Sequence, residues 1–119
     1  MAAHLTWVEV DLAAIRNNVR CMKALTGTRA MAVVKANGYG HGAQAVSRAA
    51  AEAGADWLGV ARADEGLTLR SRGLSLPILV LGCTPPEAAG EALGSDLSLT
   101  VFDFDTAQAY ASAARSLNR

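Results

Sequence analysis

Strand and helix segments alternating four times predict an α/β fold, with a parallel sheet joined by crossover helices. Three observations carry that reading. Short apolar runs recur from Ala30 onward at intervals of roughly 20 to 25 residues, the span of a strand plus its returning helix. The runs are continuously apolar rather than alternating, which suits strands covered on both faces. Between them lie segments with N-cap residues and helical apolar spacing, two of them closed by Gly54 and Gly73. Both a doubly wound open sheet and a (β/α) barrel fit this rhythm. A complete barrel needs eight units and typically about 250 residues; the 119 residues here hold four units.

The elements follow in order. Thr6-Trp7-Val8-Glu9-Val10 alternates polar and apolar residues, as a strand buried on one face does. Asp11 reads as the N-cap of a helix with Leu12, Ile15, Val19 and Met22 on one face and Gly27 beyond its end. Ala30–Val34 is the first buried strand. An alanine-rich helix is expected from about Gly42 to Ala53, and Trp57–Ala61 is the second strand. Asp64 is the expected cap of a helix reaching Arg72. Pro77–Leu81 is the third strand, with its proline at the tolerated first position. Thr84 then reads as an N-cap, with proline in the first turn of a helix to about Leu93. Leu99–Phe102 is the expected fourth strand. Asp103 or Asp105 caps the last helix, which ends near Leu117.

Composition narrows the function classes. The net charge is 0, which argues against a nucleic-acid partner, because affinity for phosphate backbones comes mainly from clustered lysine and arginine. Apolar runs are of strand length and well short of the roughly 20 residues of a membrane span. The opening Met1–Trp7 has no basic region followed by an apolar one, so a cytoplasmic protein is expected. Cys21 and Cys83 match no zinc spacing, and no metal site is expected. Cys21 falls on a helix and reads as a small core or half-buried residue; Cys83 reads as structural or incidental.

The chemistry concentrates at Lys35. It ends the run Met31-Ala32-Val33-Val34 and precedes Ala36-Asn37-Gly38-Tyr39-Gly40-His41-Gly42. A lysine at the mouth of a buried strand is partly stripped of water, which disfavours the ammonium and favours the nucleophilic amine. Such an amine can condense with a carbonyl group. The glycines behind it let backbone approach a ligand closely. Ligands bind at the carboxyl ends of the strands under either closure, where Lys35, Arg62, Leu81-Gly82 and Phe102-Asp103 fall. Lysine is chiefly a solvated surface residue, so the flanking residues decide the matter.

Ala32–Gly42 closely resembles the pyridoxal-phosphate attachment motif of the alanine racemase family, usually AVVKANAYGHG, with Gly38 where alanine is commoner. Trp7–Leu12, Gly54-Ala55-Asp56 and Ile78–Gly82 before Thr84-Pro85-Pro86 are also similar to family segments, so the resemblance runs the length of the chain. It implies a partial (β/α)8 TIM-type barrel of about four βα units, preceded by one strand. Residues 1–11 would hold a strand that packs with a carboxyl-terminal β-domain absent here, and residues 12–119 the first half of the cofactor-binding barrel.

By the same resemblance, Lys35 would carry pyridoxal 5'-phosphate and act as acid or base on one face of the substrate α-carbon. Tyr39 would donate its hydroxyl to the cofactor phosphate, and Leu81 would line the wall beside the ring. The helix after Gly42 could offer N–H groups to an anion. His41 is expected to hold its loop through a backbone hydrogen bond. Racemisation needs a second acid/base group on the opposite face. In the family this is a tyrosine from the partner subunit's β-domain, with no matching position here; Tyr110 reads as a packing residue. The resemblance thus implies an amino-terminal portion of an L-alanine to D-alanine racemase serving peptidoglycan synthesis, homodimeric when whole. Four units with open edges and a bare apolar face should be marginal, molten or self-associating, and inactive alone.

Other readings stand beside this one. Gly40-His41-Gly42-Ala43-Gln44-Ala45 satisfies a relaxed dinucleotide pattern with Arg62 and Asp64 roughly 20 residues on, but five residues separate it from the strand. Single-domain barrels similar to the family bind pyridoxal phosphate for cofactor homeostasis, although their motif lacks the Asn-x-Tyr-Gly-His-Gly tail present here. A non-catalytic interaction module is the third.

Overall fold

The computed structural model describes residues 3–119; Met1 and Ala2, part of the expected N-terminal unit, lie outside them. The order is α1 (Leu12–Thr26), β1 (Met31–Val33), α2 (Lys35–Tyr39), α3 (Ala43–Glu52), β2 (Trp57–Val60), α4 (Ala63–Ser71), β3 (Ile78–Val80), α5 (Pro86–Gly94), β4 (Leu97–Leu99) and α6 (Phe104–Ser116). All strand pairs are parallel and the sheet order is β1-β2-β3-β4, so each crossover steps to the next strand in one direction.

Register explains which apolar residues are covered. Ala32, Leu58, Ile78 and Leu97 lie side by side across the sheet, and Val60, Val80 and Leu99 form the next row. These rows face the helices. Leu58, Val60, Ile78 and Val80 are fully buried there with Leu69 and Leu74 of the α4 region and Ala92 of α5. Burying each large aliphatic side chain contributes about 1.5–3 kcal/mol. The opposite face carries Met31, Val33 and Leu81, all still exposed. The strands are therefore covered on one face, against the expectation of two. The molecule is a slab of 49 × 43 × 23 Å with a radius of gyration of 16.3 Å. A closed domain of this length would have about 13–14 Å.

Helix ends follow local chemistry. Asp11 accepts Ala14 N–H to cap α1, and Gly27 closes it at φ 63°. Asp103 accepts Thr106 N–H at 2.7 Å to cap α6; that bond holds its carboxyl below the usual carboxylate range. Arg70 of α4 ties the amino-terminal end of the sheet together. Its guanidinium donates to the carbonyls of Leu74, Leu76, Ser95 and Asp96, and its burial pushes its pKa down.

Several expectations are corrected. Thr6–Val10 forms no strand: among the described residues nothing pairs with it, and Trp7 and Val8 are exposed. A strand needs a neighbour for its backbone groups, and none lies beside this segment. The fourth strand is Leu97–Leu99, not Leu99–Phe102. The left-handed turn at Asp96 (φ 57°) delivers the chain into the ladder at Leu97, opposite Ile78. Thr100 Oγ1 then bonds Val80 O at 2.6 Å, and Val101 and Phe102 overshoot into solvent. Asp64 does not cap α4, since Arg62 holds that position and Glu65 supplies the capping carboxylate. Pro85, not Thr84, precedes α5. Cys21 is exposed, because the half-buried stripe of α1 runs through Leu12, Ile15, Val19 and Lys23 and leaves Cys21 outside it.

Candidate active site

The chain leaves β1 through Val34, which continues the ladder with its N–H on Gly59 O at 2.8 Å and is 1% exposed. Lys35 follows at once, half-buried at the carboxyl end of the strand. The backbone then turns left-handed. Ala36, Asn37, Gly38 and Tyr39 have φ of 50°, 54°, 63° and 55°. This conformation costs a non-glycine residue roughly 1–2 kcal/mol, so three such residues within one four-residue turn need support.

That support can be followed bond by bond. Gly38 N–H reaches Val34 O at 2.8 Å, Gly40 N–H reaches Ala36 O at 3.1 Å, and Gly42 N–H reaches Asn37 O at 2.8 Å. Asn37 Oδ1 accepts Ala43 N–H at 2.9 Å, so the turn itself caps α3. That helix's first N–H, expected as an anion donor, is thereby occupied. His41 Nδ1 lies 3.1 Å from both Gly38 O and Tyr39 O. Carbonyls only accept, so Nδ1 carries the proton, and His41 holds the loop as the sequence led us to expect. At Gly38 (φ 63°) an added Cβ would lie 3.3 Å from Ala43 N, a tight contact that glycine avoids.

Two of the three expected cofactor-binding residues lie near each other. Lys35 Nζ lies 6.0 Å from the centroid of the Tyr39 ring, at the limit of cation–π range. Tyr39 is 60% exposed, leaving its hydroxyl free to meet a ligand. Leu81 sits at the end of β3, anchored by its N–H on Val60 O at 2.8 Å. Its side chain converges with Met31 and Val33 over Gly59, where an added Cβ would meet Met31 Sδ at 3.0 Å and Val33 at 3.3 Å. Gly59 thus permits an apolar ledge on the open face of the sheet, beside the strand that delivers Lys35. An amine, an exposed phenol and a flat apolar wall at one end of a parallel sheet form a donor set that fits an aromatic aldehyde bearing a phosphate.

Glu65 was missed in the sequence. Its Oε2 accepts the N–H groups of Ala61 and Arg62 at 2.7 and 2.8 Å, while Oε1 accepts Ala36 N–H at 2.9 Å. Its position, three residues after the cap, is that of the glutamate of a capping box, but Arg62 stands where that motif has serine or threonine, so the sequence carried half the signal. The reach to Ala36 had no local signal. Tyr110 is buried, as expected of a packing residue, and its hydroxyl donates to Thr84 O at 2.5 Å; burial pushes its pKa up. Cys83 is exposed. The dinucleotide pattern at Gly40–Ala45 loses its structural context, because the left-handed turn separates it from β1.

A family model described as "Alanine racemase, N-terminal domain" matches residues 10–119. The chain belongs to this family. Alanine racemase of Symbiobacterium thermophilum is 54% identical over 115 residues, covering 96% of this chain and 30% of that protein. Alanine racemase 1 of Bacillus subtilis is 49% identical over 105 residues, 87% of this chain and 27% of its own length. The crystal structure of alanine racemase from Bacillus anthracis with bound L-Ala-P matches with a TM-score of 0.86 at 43% identity, covering 95% of this chain and 30% of that one. Histidine racemase from Leuconostoc mesenteroides also matches, with a TM-score of 0.81 at 33% identity over 89% of this chain. The chain spans about 30% of the length of such relatives. Its four parallel strands and their helices correspond to the amino-terminal part of the racemase barrel.

Proposed function

We propose that this chain is the cofactor-attachment portion of a pyridoxal-phosphate-dependent alanine racemase, converting L-alanine to D-alanine for peptidoglycan precursors in the cytoplasm. The observation that carries the reading is Lys35, half-buried at the strand end and followed by a left-handed turn that presents Tyr39 beside it. When bound, pyridoxal 5'-phosphate supplies an electron sink for charge developing at the substrate α-carbon. Lys35 would hold the cofactor, and its Nζ would take the α-proton as the amine or return it as the ammonium on one face. The Tyr39 hydroxyl would donate to the cofactor phosphate, and Leu81 on the apolar ledge would line the wall beside the cofactor.

Inversion needs a proton donor on the other face. Tyr110 does not serve, because its hydroxyl is committed to Thr84 O inside the helix layer. The second group, the partner of the ring nitrogen and the remaining phosphate contacts belong to the rest of a longer, homodimeric protein, and the 119-residue chain is inactive alone. In that protein Thr6–Val10 would pair with the carboxyl-terminal β-domain and residues 12–119 would form the first half of the barrel. Substrate choice also lies outside this portion, in keeping with the match to a histidine racemase over the same part of the fold.

The test is to incubate the chain with pyridoxal 5'-phosphate, reduce with borohydride and map the adduct by peptide mass. The chain has two lysines, and Lys23 is the internal control because its amine is held by Gly54 O and Asp56. The adduct is expected on Lys35 and absent from that peptide in Lys35→Ala. Equal labelling of both lysines, or none, refutes the reading.

A further inference from the structure

We propose that Glu65 is a positioning residue for Lys35, clamping the left-handed turn to the start of α4. The inference rests on the reading of Lys35 as the cofactor-bearing residue, and it adds a residue that neither the motif nor the chemistry of the amine identifies. One carboxylate here takes three backbone N–H groups. The two on Oε2, from Ala61 and Arg62, are local and complete the amino-terminal cap of α4. The third, from Ala36 to Oε1 at 2.9 Å, crosses 29 residues and plays no part in that cap.

Ala36 N–H belongs to the peptide group that joins Lys35 to the first left-handed residue. Fixing it fixes the direction in which the chain leaves Lys35. Ala36 and Asn37 have no glycine freedom, so the turn persists only where its surroundings hold it. Asn37 and His41 hold its far end through Ala43 N–H and the carbonyls of Gly38 and Tyr39. Glu65 holds the near end, and it does so from the exit of the neighbouring strand. Lys35 is therefore referenced to β2 and α4 as well as to its own strand. Bonds to an ionised acceptor are about twice as strong as neutral ones, which suits a clamp on a strained turn.

Glu65→Gln separates the two duties. An amide has one acceptor oxygen; turned to the two cap donors, it aims its NH2 at Ala36 N–H, where two donors oppose each other. Amide hydrogen exchange in the 119-residue chain, without cofactor, should show Ala36 protected in the natural sequence. In Glu65→Gln its exchange should quicken by roughly ten- to a hundredfold, the loss expected for one bond to a charged group, while Leu58 and Val60 of β2 change little. Labelling by pyridoxal 5'-phosphate at Lys35 should fall relative to Lys23 in the same variant. Asp64→Asn, whose carboxylate meets only the exposed Arg62 side chain, should alter neither readout.

If Glu65→Gln does not fold, Glu65→Asp keeps the charge and shortens the reach, and the same comparison applies. An Ala36 amide that is unprotected in the natural sequence, or equally protected in the folded variant, overturns the clamp. A clamp that is lost with no change in the Lys35 to Lys23 labelling ratio overturns its positioning role. Equal labelling of both lysines in the natural sequence refutes the cofactor reading instead, and the Ala36 exchange still decides the clamp.

Discussion

Lys23 and Asp56 form a half-buried ion pair at 3.0 Å that joins α1 to the start of β2. Asp56 Oδ2 also accepts Ala30 N–H at 2.8 Å, and Lys23 Nζ donates to Gly54 O at 2.6 Å. One small cluster thereby fixes α1, the entry to β1 and the entry to β2. The Ala30 bond, then the Lys23 ammonium, holds the Asp56 carboxyl below its ordinary value of 3.8.

The sign of the pH dependence follows. A carboxyl with a lowered pKa in the folded chain adds stability above its ordinary value and loses it as pH falls through the lowered one. Asp56→Asn should therefore lower the melting temperature near neutrality, and its deficit should shrink in acid below 3.8. Thermal melts of both chains across that range provide the check. A deficit that stays constant through the acid limb would remove Asp56 from the account.

The left-handed turn makes an unusual prediction about Ala36. Glycine pays no steric cost at φ 50° but loses more backbone entropy on folding, roughly 0.5–1 kcal/mol against roughly 1–2 kcal/mol of strain. Ala36→Gly should consequently stabilise the chain by about 0.5–1 kcal/mol. Its urea midpoint should rise with an unchanged slope. A lower midpoint would mean that the strain assigned to this residue is absent.

Self-association should follow from the open face. Met31, Val33 and Leu81 stand exposed on it, and β1 and β4 are both edges. Unpaired edges and bare apolar patches favour pairing between chains. Sedimentation velocity should show a mass average rising with concentration, and Met31→Lys on the β1 edge should weaken that trend. A monomer at every concentration would contradict the prediction.

The sequence made the helix layer legible because its signals are local. Asp11 and Gly27 bracket α1 as their chemistry requires, and the runs at 57–61 and 77–81 contain β2 and β3. Where neighbours decide, local signals failed. Val101 and Phe102 have the residue types of a strand, yet the turn at Asp96 starts the ladder at Leu97 and leaves them outside it. Thr6–Val10 has a strand's alternation and no strand to pair with.

For the site the division is similar. Lys35, Tyr39 and Leu81 could be named as candidates from the motif and from the rule that ligands meet strand ends. The amino-acid order by itself determined the repeating βα rhythm, the Asp11 and Asp103 caps and the lysine, since each depends on residues near one another along the chain. Only the tertiary structure revealed the left-handed turn behind that lysine and the grip of Glu65 upon it. Four successive φ values of 50–63° are not written in Ala-Asn-Gly-Tyr. They are held by bonds from Val34, Ala43, His41 and Glu65, the last of them reaching across 29 residues.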